Sequence, residues 1–264
     1  MTVGAYAQMP KDKIALQGED SFKAEMFNEF SDTIEDNALY VATTGSDSNT
    51  GTIDKPFATV QKALDTVKAG QTIYVRGGTY NALNTFKTSG SEGKYITLRN
   101  YPNETPFLTC TTGTDGAILH LNGCNYIKIY GLEIGGHSAG KAYGILLDDC
   151  ENHIVISNNH IHNLLTTKPG EHENGEANGI LLFGEGKTDE TSINNICIEN
   201  NNIHNNTTGW SETLSTSGNC KYVNVINNTV HDNTNIGIDF YGNAKYCTVP
   251  AYDQPRYCVA AGNT

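Results

Sequence analysis

Apolar residues in this chain fall in short runs that alternate with polar positions and recur along the sequence. Ile127-Lys-Ile-Tyr-Gly-Leu-Glu-Ile134, Ile154-Val-Ile-Ser-Asn-Asn-His-Ile-His162, Ile196-Cys-Ile-Glu-Asn-Asn-Asn-Ile-His204 and Val223-Asn-Val-Ile-Asn-Asn-Thr-Val-His231 are equivalent, and Tyr257-Cys-Val-Ala-Ala-Gly-Asn-Thr264 begins a fifth. A second run type lies between them: Ala117-Ile-Leu-His120, Gly144-Ile-Leu-Leu147, Gly179-Ile-Leu-Leu182 and Gly237-Ile-Asp-Phe240. Period-2 alternation marks strands. Self-similarity at about 27 residues, lengthened in places by loops, marks stacked units that bury a core only together. Asn-Asn after each apolar triplet suits a sharp corner, because Asn tolerates left-handed backbone angles. Stacked Asn side chains can also hydrogen-bond from one unit to the next. The pattern predicts an all-β fold, a right-handed parallel β-helix of about six to seven coils over residues 38–264.

Two helical patterns precede the repeats. Phe22, Met26, Phe27 and Phe30 share one helical face within a polar segment, residues 1–37, read as a tail with a capping helix over the end of the core. Val60, Ala63, Leu64 and Val67 fall at i, i+3, i+4 and i+7, predicting an amphipathic helix over 58–67 that stops at Gly70. At the other end, Thr264 follows directly on a repeat run with no cap. The expectation is a piece of a longer β-helix, or an end covered by a second copy, giving self-association there.

Composition narrows the function. Of 264 residues, 27 are Gly and 30 are Asn, and only 17% are charged, which excludes coiled coils and charged helical bundles. The net charge of −12 argues against nucleic acid as a partner, and no apolar run is long enough for a membrane helix. Seven Cys (110, 124, 150, 197, 220, 247 and 258) show no CxxC spacing. They read chiefly as buried thiols of the repeat core, with Cys247 and Cys258 as the best disulfide pair in an oxidising compartment. Ala5-Tyr6-Ala7 resembles the end of a secretory signal, so the expected localisation is extracellular.

The opening of the repeat domain carries a family likeness. Tyr40-Val-Ala-Thr-Thr-Gly-Ser-Asp-Ser-Asn-Thr-Gly-Thr-Ile-Asp-Lys-Pro-Phe-Ala-Thr-Val-Gln-Lys-Ala-Leu64, then Ala69-Gly-Gln-Thr-Ile-Tyr-Val-Arg-Gly-Gly-Thr-Tyr80, resembles the N-terminal signature of secreted pectate-lyase-like β-helix proteins, in particular family nine polysaccharide lyases. The resemblance implies β-elimination on a uronate polysaccharide, with a Lys base and a calcium ion held by Asp residues. In that family an Asn-Ala-Asp-Gly-Phe motif has a Lys a few residues on, and a later coil carries Asp-Asp-Gly. Here the corresponding stretch is Glu176-Ala-Asn178-Gly179-Ile180, with Phe183 at the Lys position, and the next coil reads Thr208-Gly-Trp210-Ser-Glu212. The family's catalytic set does not carry over.

Candidate chemistry therefore rests on residues of this chain. Trp210, the only Trp, adjoins Ser211 and Glu212, and Asp239 follows one coil later. Alternation around Ile238 and Phe240 points Asp239 outward. Glu212 either shares that face or turns inward. The following loop holds Lys245, Tyr252, Asp253, Gln254 and Arg256. As a saccharide groove, Trp210 and Tyr252 stack on sugar rings, Asp253 and Gln254 line the groove, and Arg256 grips a carboxylate. For β-elimination, Arg256, Lys245 or a calcium ion held by Glu212 and Asp239 neutralises the uronate, with Lys245, Tyr252 or Arg256 as base. Glu212 with Asp239 or Asp253 equally suits a glycoside hydrolase, and a binding module without catalysis is a third reading. The blander account of the loop is an Asp253–Arg256 ion pair on an acidic surface. His162, His204 and His231 occupy equivalent positions, either as a metal-binding ladder or as a turn position that accepts a polar ring. The acidic loop from Glu171 to Glu176 and the pair Asp148-Asp149 are further calcium candidates, or simply solvated loops.

Overall fold

The computed structural model describes residues 9–26, 33–149, 151–172, 174–243 and 245–264. Phe27, Phe30, Ala5-Tyr6-Ala7, Cys150 and Glu173 lie outside them. Strands are numbered in chain order and form three parallel sheets. Sheet 1 stacks β1 (Leu39–Val41), β2 (Thr72–Val75), β5 (Ile96–Asn100), β8 (Ile127–Tyr130), β11 (Asn152–Ser157), β14 (Ile193–Glu199), β17 (Cys220–Ile226) and β20 (Val259–Ala261). Sheet 2 stacks β4 (Asn84–Phe86), β7 (Gly116–Leu121), β10 (Lys141–Leu147), β13 (Glu176–Gly184), β16 (Leu214–Gly218) and β19 (Ile238–Tyr241). Sheet 3 stacks β3 (Gly78–Asn81), β6 (Pro106–Thr109), β9 (Glu133–Ala139), β12 (His160–Thr166), β15 (Asn202–His204) and β18 (Thr229–His231). The chain visits the three sheets in turn, coil after coil, as a right-handed parallel β-helix.

Register aligns like with like. In sheet 1 the inward row runs Ile73, Leu98, Ile129, Ile156, Ile198, Val225. In sheet 3 it runs Leu108, Ile134, Ile161, Ile203, and in sheet 2 Leu119, Ile145, Ile180, Leu214. All are fully buried in one continuous core. Burial of a Leu or Ile side chain contributes roughly 1.5–3 kcal/mol each, so these rows supply most of the drive to stack.

The Asn-Asn pairs divide the work of the corner between sheets 1 and 3. The first Asn takes the left-handed conformation, with φ of 56° at Asn158, 56° at Asn200 and 55° at Asn227. Gly131 and Gly262 hold the same place in flanking coils, at φ 69° and 67°. The second Asn is buried and laddered. Asn159 Nδ2 donates to Asn201 Oδ1 (3.1 Å), Asn201 Nδ2 to Asn228 Oδ1 (3.0 Å), and Asn228 Nδ2 to Asn263 Oδ1 (3.0 Å). Each Oδ1 also accepts the backbone N–H of the coil before it. A second ladder joins Asn206 to Asn233.

Two helices flank the stack. α2 (Val60–Leu64), capped by the Thr59 hydroxyl, is shorter than the sequence pattern suggests. It buries Val60, Ala63 and Leu64 against β1 and β2, the first two strands of sheet 1, and β4, the first of sheet 2, and so covers the N-terminal end of the core. α1 (Asp20–Glu25) behaves differently from the expected end cap. Its segment runs along the outer face of sheet 1, crossing several coils: Met9 bonds Asn227, Gln17 bonds Asn224, Glu19 bonds Asn195, and Phe22 meets the His153 ring edge-on. Phe22 and Met26 fill an outward apolar strip formed by Val155, Cys197 and Ile226. The apolar spacing of the segment is satisfied on a flank, because β11, β14 and β17 present apolar residues there on both faces.

The six described cysteines are free thiols. Cys247 Sγ donates to the Gly186 carbonyl and Cys258 Sγ to that of Arg256, so the expected Cys247–Cys258 bridge does not form. At the last rung of sheet 2, Phe240 continues the inward row of Leu182 and Thr216 yet remains 37% exposed. Among the described residues no helix is long and apolar enough to cross a membrane.

Asn201 tests the ladder. Its replacement by Ala strands the Asn159 amide and the Ile156 carbonyl in the core. At about 1–3 kcal/mol per buried unsatisfied group, urea unfolding should show a loss of about 3 kcal/mol. Asn202, one position on and facing outward, should tolerate Ala within about 0.5 kcal/mol.

Candidate functional site

Outward positions of a parallel β-helix are free to vary, and sheet 2 uses them to floor a cleft. The row Leu146, Leu181, Ser215, Asp239 is in register across β10, β13, β16 and β19, and Phe183, Ser217 and Tyr241 form the row beside it. Ala117, Tyr143 and Leu181, with Leu146 and Phe183, make an apolar cluster on this outer surface. Loops raise the walls. His172 and Trp210 stand on one side, with ring centroids 5.6 Å apart, and Tyr241 and Tyr246 on the other, 6.0 Å apart. Tyr246 also packs on Phe183 at 4.4 Å. The cleft holds about 660 Å³, within the range of small-molecule and oligomer sites. Trp210 is 58% exposed at its lip.

Carboxylates gather where the strands begin. Glu176 Oε2 accepts the Tyr143 hydroxyl at 2.8 Å and lies 4.0 Å from Lys141 Nζ. Glu212 lines the same end, and Asn178 donates to its backbone carbonyl. Asp239 lies beside the cleft, in register with Ser215. One of its oxygens is buried with no hydrogen-bond partner. Burial raises the Asp239 carboxyl above the ordinary range, against a hydrogen bond from Ser215. Burial first, and the Asp239 charge second, push Glu212 up to about 7. The charge of ionised Asp239 thus helps to keep a proton on Glu212.

The residues proposed from sequence divide into three groups. Glu212 and Trp210 line the cleft, with Asp239 at its edge. Glu212 therefore faces outward, one of the two orientations open from sequence. Lys245 and Asp253 line a separate smaller pocket with Cys247 and Pro250. There Asp253 is buried and accepts the backbone N–H of Lys245 and Cys247, which organises the loop. Arg256 does not pair with Asp253. It donates to Asp189 Oδ1 (3.1 Å) and Asn219 Oδ1 (2.9 Å), and its guanidinium lies 5.0 Å from the Tyr252 ring centroid. Arg256, Tyr252 and Gln254 lie outside the cleft lining. Sequence reasoning did not find Tyr143, Lys141, Tyr241 and Tyr246. The signal available was the place of Tyr143 and Tyr241 directly beside the runs Gly144–Leu147 and Gly237–Phe240; Lys141 lies three residues before a run and Tyr246 six after one.

The family resemblance implies calcium, and the donor set can be tested for it. Calcium takes six to eight oxygens at 2.3–2.6 Å. Among the described residues, Glu176, Glu212 and Asp239 do not place three oxygens within 4.8 Å of one another. Asn178 stands where the resemblance puts an Asp, with its Nδ2 used by the Glu212 carbonyl. These residues do not fit a calcium ion held by the protein alone.

Three parallel sheets wound coil after coil in one register define the class as that of pectate-lyase-like right-handed parallel β-helix proteins. The model of the Pel9A-like right-handed β-helix region matches residues 39–263, and the chain belongs to this family. An uncharacterised protein of Bacillus subtilis (strain 168), YwoF, is 36% identical over 212 residues, covering 77% of this chain and 43% of that protein. Pectate lyase PEL9 of Emericella nidulans is 30% identical over 175 residues, covering 61% of this chain and 37% of the enzyme. The chain thus spans less than half the length of either relative. The crystal structure of pectate lyase Pel9A shares the fold at a TM-score of 0.52 and 16% identity, over 74% of this chain and 54% of that one.

The raised Glu212 carboxyl has a consequence for stability. A carboxyl whose folded pKa exceeds its unfolded value of about 4.3 binds more protons when folded. Its contribution is therefore full below about pH 4 and is lost as pH rises to about 7. Glu212→Gln should match the parent in Tm at pH 4.5 and exceed it at pH 8, with the gap opening between those values.

Proposed function

We propose that the chain is the β-helix part of a secreted glycan-cleaving enzyme that binds an oligosaccharide along the sheet 2 cleft and hydrolyses a glycosidic bond with Glu212 as general acid. The observation that carries this reading is the Glu212 carboxyl. Raised to about 7, it lies in an aromatic-lined cleft with a second carboxyl, Asp239, at the edge. A pair of carboxyls, one of them holding its proton near neutrality, supplies the acid and the anion that glycoside hydrolysis needs. Glu212 gives its proton to the leaving oxygen. Asp239, as the carboxylate, stabilises the oxocarbenium-like centre or activates water. Trp210, Tyr241 and Tyr246 present ring faces and edges for sugar rings, and Lys141 and Tyr143 hold Glu176 for hydroxyl contacts.

Membership of a family that includes pectate lyases supports a second reading, β-elimination on a uronate polysaccharide. Glu212 then acts as base in its ionised form. Lys141 meets the uronate charge, and a calcium ion, if the substrate brought one, would add to that neutralisation. The two readings have opposite pH dependence and different products. Hydrolysis requires protonated Glu212 and falls as pH rises through about 7, whereas elimination requires ionised Glu212 and rises over that range.

Incubation with panels of neutral glycans and polyuronates, with calcium or chelator, separates them. Under hydrolysis, reducing ends accumulate without ultraviolet absorbance from unsaturated uronide, and chelator has no effect. Glu212→Gln should then lower kcat by about 10²–10⁴ with an unchanged circular dichroism spectrum. Calcium-dependent ultraviolet absorbance would install the second reading. Absence of product from every glycan would overturn both.

Trp210 provides an independent check on the cleft, since it is the sole Trp. Its fluorescence should shift to the blue as an oligosaccharide covers it. Trp210→Ala should weaken binding about tenfold, ~1.4 kcal/mol.

A further inference from the structure

The outer face of sheet 3 carries a second cluster, remote from the sheet 2 floor and unused by the chemistry above. Alternation along β12 sends His160 and His162 to the same side. Register places His160 beside Glu133 of β9, and His162 beside His204 of β15 and, one coil on, His231 of β18. Glu133, His160 and His162 each present a ligand atom within 4.8 Å of the other two. His162 Nε2 lies 3.0 Å from Glu133 Oε1, and His160 Nε2 lies 2.6 Å from His204 Nε2. The Phe107 ring stacks on His162 at 5.9 Å and 5°, fixing its plane.

We propose that Glu133, His160, His162 and His204 form a binding site for a divalent late transition metal, zinc in particular. Two imidazole nitrogens facing each other at 2.6 Å can share only one proton, an arrangement that a cation between them relieves. Tetrahedral zinc with bonds of 2.0–2.1 Å sets its ligand atoms about 3.3 Å apart, a spacing that rotamer changes can reach at Glu133, His160 and His162; His204, in contact with His160 but outside that 4.8 Å group, swings further to complete the set. Three imidazoles and one carboxylate are a zinc-type donor set and a poor match for calcium or magnesium, which take oxygen ligands. The ligands come from three successive rungs, β9, β12 and β15, so a bound ion would clamp coils whose strands are otherwise joined by backbone bonds and one Ile row.

Equilibrium dialysis against zinc chloride with elemental analysis, together with thermal melts, tests the site. The intact protein should retain zinc at one ion per chain, resist displacement by millimolar calcium, and melt higher with zinc than with chelator. His160→Asn with His162→Asn should abolish retention and the zinc-dependent rise in Tm. Glu133→Gln leaves the rings in place and should weaken binding about tenfold or more. His231→Asn removes a ladder ring outside the set and should bind as the parent does. No retained zinc in the intact protein, or equal loss in His231→Asn and the double variant, would overturn the proposal. The double variant should leave glycan turnover unchanged, which separates this site from the cleft.

Discussion

The rest of the structure depends on the pairing of a left-handed residue with a buried amide at the corner between sheets 1 and 3. A chain that turns sharply inside a solvent-free stack leaves backbone N–H groups with no strand partner, and an orphaned donor there is costly. Asn answers both needs. At 158, 200 and 227 it accepts the backbone angle; at 159, 201 and 228 its amide bonds the coils on either side, and at 263, the last rung, the coil before it. The ladder requires each Asn to lie directly over the next, so it also fixes register. Register in turn decides that Ile meets Ile in the core, and that Ser215 meets Asp239 on the surface.

That constraint acts on the corner and the core only, which explains where the site can arise. Coil length between sheet 2 strands is 26 residues from Leu119 to Ile145, but 35 from Ile145 to Ile180 and 34 from Ile180 to Leu214. The extra chain leaves and re-enters the stack without disturbing the rows, as loop closure costs little per added residue. Those two coils carry His172, Glu176, Trp210 and Glu212 to the cleft. The surface of sheet 1 is covered by the N-terminal segment, whereas the outer apolar cluster of sheet 2 stays open.

The features written as periodicity were legible in the sequence. The inward rows, the Asn corners, α2 and the neighbourhood of Glu212, Asp239 and Trp210 all follow from spacing. Contacts made by loops were not legible. Arg256 is held by Asp189 and Asn219, which lie 67 and 37 residues earlier, and no local pattern announces that meeting. Tyr246 reaches Phe183 from a loop beyond the repeat. The N-terminal segment shows why an amphipathic pattern is ambiguous: Phe22 and Met26 were bound to be buried, but the receiving surface depended on Val155, Cys197 and Ile226 facing outward, against the usual polar exterior of a strand.

The cleft also shows how one scaffold can exchange its chemistry. The stretch that the resemblance aligns with the lyase motif lies on β13, the middle strand of the cleft floor. Phe183 stands at the Lys position, and Asn178 at that of an Asp. Phe183 puts apolar surface where a Lys would bring a cation, which disfavours ionisation of a nearby carboxyl, since a charge needs either solvent or a counter-charge. Asn178 in place of an Asp leaves out an anion and acts in the opposite sense. Glu212 sits one coil beyond that floor, and burial first, with the Asp239 and Glu176 charges behind it, raises its carboxyl to about 7. Register keeps the position of such a group fixed while the outward side chains around it are free to vary.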